Sequence, residues 1–189
     1  DGAQEAVVAR LQALHDELAE RRPPGYRLRD GVMGIFGRKP APPPRGLYIH
    51  GPPGRGKSML MDLFFETSHV HRRRRVHVHP FMQEVHAKMH QWQKEGGGRQ
   101  AEEPLPRLAR EIARETRLLC FDEFQVEAIA DAMIVGRLFG ALFDEGVVVV
   151  ATSNTAPDDL YKDGLQRVRF LPFIDILKQN VDIVELATE

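Results

Sequence analysis

The fold is decided by the stretch Gly51-Pro52-Pro53-Gly54-Arg55-Gly56-Lys57-Ser58, which fits the pattern G-x-x-x-x-G-K-[ST] at every fixed position. A strand-like run over residues 46–50 leads into it, and an apolar helical pattern begins at Met59. The glycines let consecutive backbone N–H groups point at phosphate oxygens, and the start of the next helix adds partial positive charge. We expect Lys57 to reach the β- and γ-phosphates and Ser58 to bind magnesium. Residues 51–59 are therefore predicted to bind ATP or ADP with Mg²⁺; the alternative is a glycine-rich turn without a ligand.

The composition is that of one ordinary globular domain. The chain has 189 residues and a formal net charge of −1, so no overall basic field indicates nucleic acid as a partner. Its single cysteine, Cys120, lies in an apolar run, which predicts a small core residue. No run of about 18 apolar residues occurs, so no membrane-spanning helix is expected and the predicted location is the cytoplasm. The chain begins at Asp1 and ends soon after a strand-like segment, so we expect a further C-terminal part in a longer protein.

Strand-like and helical segments alternate, which predicts a three-layer α/β/α P-loop NTPase fold with a central parallel sheet, preceded by an N-terminal helix. Residues 1–45 are predicted to form this helix and a proline-rich connector that lies over the nucleotide site, and residues 46–189 the P-loop core. Helices are predicted over residues 4–21, 59–65, 81–94, 104–115, 126–144, 157–162 and 172–179, and strands over 46–50, 76–79, 118–121, 146–152 and 181–186.

An acidic pair, Asp122 and Glu123, follows the apolar run 118–121. In open α/β sheets, ligands bind at the carboxyl ends of the strands, where this pair is placed. We expect Asp122 to hold magnesium near Ser58, and Glu123 to act as general base on the attacking water. The alternative is an exposed acidic turn after a core strand.

A third strand end and a group of arginines complete the predicted site. Asn154 follows the strand predicted over residues 146–152, and its amide can sense the γ-phosphate or the attacking water; the alternative is that it caps the next helix. Arg167 or Arg169 is expected to stabilise the transition state from a neighbouring subunit, so a homo-oligomer is predicted. Arg137 is the other candidate, and for each of the three a surface salt bridge is the alternative.

Two further patterns are weak. His86 and His90 are four residues apart on a predicted helix, but they lack the glutamate of a zinc-hydrolase motif, so a structural metal is not favoured. The basic run 72–75 can contact nucleic acid or anionic lipid; a solvated approach to the strand at 76–79 is favoured, because four charges make a small patch.

Several passages resemble AAA+ ATPases, and more narrowly the ZapE/Afg-type family. They are residues 45–51 with the phosphate loop, 61–65, 81–86, 120–126, 131–134, 149–154, 158–166 and 169–174. The most specific are Phe121-Asp122-Glu123-Phe124 and Asp163-Gly164-Leu165-Gln166. The chain departs from the family at His79-Pro80, where family members usually carry His-Arg.

The resemblance implies an AAA+/ASCE-type ATPase of the cytoplasm that acts on a protein partner. By the same resemblance, we expect that partner to be FtsZ polymers during cell division or a protein of the inner membrane, with peripheral membrane contact at most. Family members are also considerably longer than this chain. The residues leave three alternatives open: a helicase loader or other nucleic-acid-linked AAA+ module, a small-molecule P-loop kinase, and a nucleotide-gated scaffold. A strand-end glutamate placed to activate water argues against the kinase.

Overall fold

The centre of the molecule is a sheet of five strands that are all parallel. The computed structural model describes residues 2–21, 42–95 and 103–186. The strands are β1 (Gly46–His50), β2 (Arg73–His77), β3 (Leu118–Asp122), β4 (Val148–Ser153) and β5 (Val181–Glu185). Their order across the sheet is β2-β3-β4-β1-β5. Because β4 lies between β1 and β3, the carboxyl ends of these three strands are neighbours at one edge of the sheet.

Six α-helices connect and cover the strands in the described part of the chain. They are α1 (Gly2–Glu20), α2 (Lys57–Thr67), α3 (Val78–Lys94), α4 (Pro104–Glu115), α5 (Ile129–Asp144) and α6 (Leu171–Asn180). Single 3₁₀ turns occupy Pro157–Asp159 and Arg167–Arg169. The predicted connector falls largely on residues 22–41, which lie outside the described residues.

The sheet is buried on both faces, which makes the fold three layers thick. Side chains of a strand point alternately to opposite faces. On one face, Leu47, Cys120 and Val150 pack with α1 and α2. On the other face, Tyr48 and Phe121 pack with α3, α4, α5 and α6. Burial on both faces is the reason that these strands read as continuous apolar runs. The predicted fold class is therefore confirmed.

Cys120 is a core residue, as predicted. It is fully buried between the sheet and the α1–α2 layer. Burial raises the pKa of its thiol to about 12, which keeps the sulfur protonated and unreactive at neutral pH.

Several predicted boundaries were wrong. The strand expected at 76–79 is β2, and it includes Arg73–Arg75 because arginines at a sheet edge can keep their charged ends in contact with polar partners. The helix expected from residue 81 begins at Val78, since Pro80 lies in the first turn, where no intrahelical N–H bond is needed. The helix expected from residue 126 begins at Ile129.

The N-terminal helix is fixed to the sheet by a charged cluster. Asp182 on β5 accepts hydrogen bonds from Arg10 of α1 at 2.6 Å and from Arg45, just before β1, at 2.8 Å. Arg45 also donates to carbonyl oxygens at the end of α6, including Gln179 at 2.6 Å. Together these bonds lower the pKa of Asp182: burial opposes the charged form, but the hydrogen bonds and charges of the two arginines outweigh it. The cluster thus holds α1, β1, β5 and α6 together at the amino ends of β1 and β5, and the phosphate loop follows the other end of β1.

Candidate nucleotide-binding site

The loop between β1 and α2 has the backbone conformation that phosphate binding requires. Gly54 and Gly56 have φ angles of +77° and +80°, in the left-handed region that glycine adopts without strain. The carbonyl of Gly56 accepts the N–H of Leu60 at 2.9 Å, so α2 begins directly after it. The N–H groups of the first helical turn have no intrahelical acceptor and face the loop, as an anion site needs.

The exit of β1 into this loop is tightly packed. The N–H of Gly51 donates to the carbonyl of Ser153 on β4 at 3.2 Å. A Cβ atom at Gly51 would overlap the backbone carbonyl of Leu186 after β5, and its φ of +150° is also unfavourable for other residues. The first glycine of the motif is therefore required by its neighbours on both sides.

The Lys57 ammonium lies inside the loop. Lys57 is only 7% exposed, and its Nζ donates to the carbonyl oxygens of Gly51 and Pro52, both at 2.7 Å. Burial lowers the pKa of Lys57, and the negative charge of Glu123 opposes that shift. A lysine held in this way is a point charge at the position where phosphate oxygens would enter.

Ser58 and Asp122 are in direct contact, as the predicted magnesium site requires. The Ser58 hydroxyl donates to Oδ1 of Asp122 at 2.9 Å, although the two residues lie on α2 and β3. The Thr152 hydroxyl on β4 donates to the same oxygen at 2.9 Å. The Arg75 guanidinium on β2 donates to Oδ2 at 2.5 Å and also pairs with Asp62 of α2.

These partners keep Asp122 ionised. Burial raises the pKa of its carboxyl group. Hydrogen bonds from Arg75, Thr152 and Ser58, and then the charge of Arg75, lower the pKa by more than burial raises it. The net pKa is below the usual value, so Asp122 is a carboxylate at neutral pH.

Glu123 has a strained backbone and an unpaired carboxylate. Its φ is +51°, which is uncommon for a residue other than glycine and is often found at functional sites. Its N–H donates to the Thr152 hydroxyl at 3.1 Å, and the next residue, Phe124, is anchored in the core at 2% exposure. Within the described part of the chain, the Glu123 side chain has no hydrogen bond or ion pair. The turn therefore presents a free carboxylate from a rigid support.

The phosphate loop, Glu123 and Asn154 line one cavity of about 230 Å³. From the loop and the start of α2, the cavity is lined by Pro53, Gly54, Arg55, Gly56, Lys57, Ser58 and Met59, and from β4 by Thr152 and Ser153. Asn154 does not cap the next turn, whose N-cap residue is Ala156 without a side-chain bond. The structure thus brings together the predicted phosphate, magnesium and water-activating residues with the predicted sensor.

The candidate arginines differ in how their charge is used. Arg167 donates to backbone carbonyls of its own subunit, the closer being Asp158 at 2.6 Å. Arg137 forms an exposed ion pair with Glu103 at 3.0 Å. Arg169 is exposed and has no side-chain hydrogen bond or ion pair with any described residue. None of the three lines the cavity beside the phosphate loop.

Sequence reasoning missed two residues of the site, Arg75 and Thr152. Arg75 was interpreted as part of a solvated basic run, and Thr152 as an ordinary end of a core strand. The available signal was alternation: Arg75 pairs in register with Cys120, which points to the same sheet face as Asp122, two residues further along β3. Strand order and register were needed to use that signal.

The oxygen atoms at this site suit magnesium. Mg²⁺ prefers oxygen ligands and in P-loop proteins is held by the loop Ser/Thr and a strand-end Asp, together with water and phosphate. Ser58 and Asp122 occupy these two positions of the motif and the strand, and their side chains are 2.9 Å apart. No group of three or more His, Cys, Asp and Glu side chains able to hold a metal occurs among the described residues, and His86 instead contacts Asp131 at 2.7 Å.

The comparison with protein families decides the relationship. The model of the AFG1-like ATPase family matches residues 1–189, which is the whole chain. The chain belongs to the AFG1-like ATPase family. The resemblance inferred from the motifs is confirmed.

Two known proteins share substantial identity with this chain. It is 42% identical over 193 residues to the cell division protein ZapE of Escherichia coli K12, covering 98% of this chain and 50% of ZapE. It is 51% identical over 151 residues to lactation elevated protein 1 homolog B of Danio rerio, covering 77% of this chain and 30% of that protein. The chain therefore spans about half the length, or less, of these relatives.

Solved structures show the same fold at low identity. DnaI superposes with a TM-score of 0.61 at 17% identity, covering 98% of this chain and 85% of DnaI. The DnaC helicase loader superposes with a TM-score of 0.52 at 13% identity, covering 75% of this chain and 77% of DnaC. These similarities confirm the P-loop NTPase fold of the AFG1-like chain. Among its described helices, none combines the length and apolar character needed to cross a bilayer.

Proposed function

We propose that this chain is the ATP-hydrolysing part of a longer AAA+ ATPase that acts on a protein partner in cell division. The observation that carries the proposal is the contact of Ser58 with Asp122 at 2.9 Å, beside a cavity that Glu123 and Asn154 also line. Family membership supports ATP as the nucleotide.

Each residue of the site has a distinct proposed role. The loop amides and Lys57 bind the β- and γ-phosphates, and residues 51–59 enclose them. Ser58 and Asp122 hold Mg²⁺, which when bound neutralises charge on the phosphate oxygens. Glu123 accepts a proton from the attacking water. Its carboxylate is free, and its backbone is held by the bond from its N–H to the Thr152 hydroxyl and by the adjacent buried Phe124.

The test separates nucleotide binding from turnover. Glu123→Gln should bind ATP with Mg²⁺ as tightly as the unsubstituted chain but release phosphate at least 100-fold more slowly, since general-base catalysis contributes about 10²–10⁴-fold. Glu127→Gln removes the same charge four residues further on and should hydrolyse normally. Lys57→Ala should lose nucleotide binding. Phosphate release without any added acceptor distinguishes an ATPase from a kinase, and unchanged turnover in Glu123→Gln would contradict the assigned role.

Arg169 is the arginine that we propose acts on a neighbouring subunit. Arg167 is held by carbonyl oxygens of its own loop, whereas Arg169 is exposed and without a partner among the described residues. Arg169 also lies among apolar side chains that water contacts: Leu165, Val168 and Leu171 are 72%, 79% and 39% exposed. Exposed apolar patches are typical of interaction surfaces, so we propose that a second copy covers this one and receives Arg169.

Mixing variants tests this arrangement. Arg169→Gln should hydrolyse ATP slowly, because a missing arginine finger costs about 10³–10⁵ in rate. Mixing Arg169→Gln with Glu123→Gln should restore activity, since one variant supplies an intact site and the other an intact finger. A mixture of Lys57→Ala with Glu123→Gln contains no intact site and should remain inactive. Full activity of Arg169→Gln alone, or a failure of the first mixture to recover, would refute a role in trans.

The client is proposed from the relatives. The cell division protein ZapE is one of them, so we propose that the longer protein acts on a component of the division machinery, with FtsZ polymers as the first candidate. The test is sedimentation of FtsZ polymers with the full-length protein in ATP and in ADP. Nucleotide-dependent binding, weakened by Lys57→Ala, is the expected result; no binding in either nucleotide would exclude FtsZ.

A further inference from the structure

A second concave surface lies at the amino ends of the strands, whereas the phosphate loop lies at their carboxyl ends. Arginines surround this surface. The cavity has a volume of about 250 Å³. Its arginines are Arg21, Arg72, Arg110, Arg114 and Arg117. Arg72 directly precedes β2, and Arg117 directly precedes β3, so this arginine pocket is at the amino ends of the strands. It is therefore separate from the nucleotide site, which lies at their carboxyl ends.

The lining of this pocket carries few carboxylates. Glu145 is the one acidic side chain among the described residues that line it. Within the described part of the chain, Arg21, Arg72, Arg114 and Arg117 form no ion pair. The pKa of Arg117 is lowered, first by burial and then by the positive charges of Arg21 and Arg72. Like charges are thus concentrated in a partly buried place.

Helix ends supply only part of the missing negative charge. Arg117 donates to the carbonyl of Arg21, after the end of α1, at 3.2 Å, and Arg72 donates to the carbonyl of Arg114, in the last turn of α4, at 2.7 Å. A helix carboxyl end carries roughly half a negative charge. The ends of α1, α4 and α5 with Glu145 therefore carry about two and a half negative charges, which is less than the charge of the four guanidinium groups of Arg21, Arg72, Arg114 and Arg117.

The unused donors are suited to phosphate. Each guanidinium has about five N–H donors in a planar fork that matches phosphate oxygens. Arg72 and Arg117 each use one side-chain bond to a described residue, and Arg21 and Arg114 use none. The pocket is concave and small, which suits one or two phosphate groups; a nucleic-acid duplex would need a longer basic stripe.

We propose that the arginine pocket binds a small soluble ligand bearing one or two phosphate groups, independently of the nucleotide site. The ligand is a diphosphate-sized anion held by the guanidinium forks of Arg72, Arg114 and Arg117. Its negative charge removes the repulsion among the arginines, so binding should stabilise the folded chain. This inference does not depend on ATP hydrolysis.

The experiment uses Lys57→Ala as the background, so that binding at the phosphate loop does not contribute. Calorimetric titration with inorganic pyrophosphate should show one site. Adding Arg72→Gln with Arg117→Gln should weaken binding at least tenfold, and adding Arg114→Gln alone should weaken it severalfold. The matched control, Lys94→Gln with Lys162→Gln, removes two exposed charges elsewhere and should leave the affinity unchanged.

Folding and alternative ligands are checked in the same series. Arg114 is exposed and its side chain has no bond to a described residue, so Arg114→Gln keeps the test valid if the double variant fails to fold. No binding of pyrophosphate in the Lys57→Ala background would overturn the proposal, as would equal weakening by the lysine control. Binding of phosphatidylglycerol vesicles or single-stranded DNA without binding of pyrophosphate would also overturn it, because the ligand would then be a membrane or a nucleic acid.

Discussion

Thr152 connects the two acidic residues of the site, and replacing it with valine should damage both. Its hydroxyl donates to Asp122 at 2.9 Å and accepts from the Glu123 N–H at 3.1 Å. Thr152 is 1% exposed, so water cannot replace these bonds. A hydrogen bond to a charged group is worth about 1.5–3 kcal/mol, and the lost acceptor for the partly exposed Glu123 N–H adds about 1 kcal/mol. The extra buried methyl group of valine offsets about 1 kcal/mol, which leaves a net loss of about 2 kcal/mol.

Thr152→Ser is the matched control, because it keeps the hydroxyl and removes one methyl group, at a cost of about 1 kcal/mol. Urea unfolding measures both free energies, and steady-state phosphate release measures turnover. We expect Thr152→Val to lower kcat at least tenfold relative to Thr152→Ser, since the strained turn at Glu123 loses its anchor; tenfold corresponds to about 1.4 kcal/mol. If the two variants unfold at the same free energy and hydrolyse ATP at the same rate, Thr152 does not support the site through its hydroxyl.

Three further predictions concern stability. Arg75→Gln should lower the free energy of unfolding by about 1–2 kcal/mol at pH 7, because Asp122 loses its charged partner but keeps two hydroxyl donors. Because the folded pKa of Asp122 is lowered, the loss should shrink when urea unfolding is repeated below about pH 4; a loss that does not change with pH would contradict this. Asp182→Asn should lower the free energy of unfolding by about 1 kcal/mol at pH 7, since solvent screens its ion pairs. This loss should also vanish in acid, because the folded pKa of Asp182 is lowered. Gly51→Ala should lower the free energy of unfolding by more than about 2 kcal/mol. Gly54→Ala should lower it by only about 1 kcal/mol of backbone strain, because a Cβ there meets no atom within 4 Å. Equal losses for the two variants would show that the exit of β1 is not tightly packed.

The local patterns of the sequence were sufficient for the fold class and for most of the site. The phosphate loop and the acidic pair are contiguous motifs whose chemistry depends on neighbouring residues, so no tertiary information was needed to find them. The strands β1, β3 and β4 were found because burial on both faces produces unbroken apolar runs. The start of β2 was missed because three arginines at a sheet edge read as a solvated segment.

Only the tertiary structure decided which residues surround Asp122. Arg75 and Thr152 are 47 and 30 positions away from it in the chain, and the register of three parallel strands brings them to the same carboxylate. The sequence also left Arg167 and Arg169 equivalent. They differ because backbone carbonyls fold around Arg167 and leave Arg169 exposed. Local propensity determines strands, helices and contiguous loops, whereas strand order and packing determine which distant side chains share one charge.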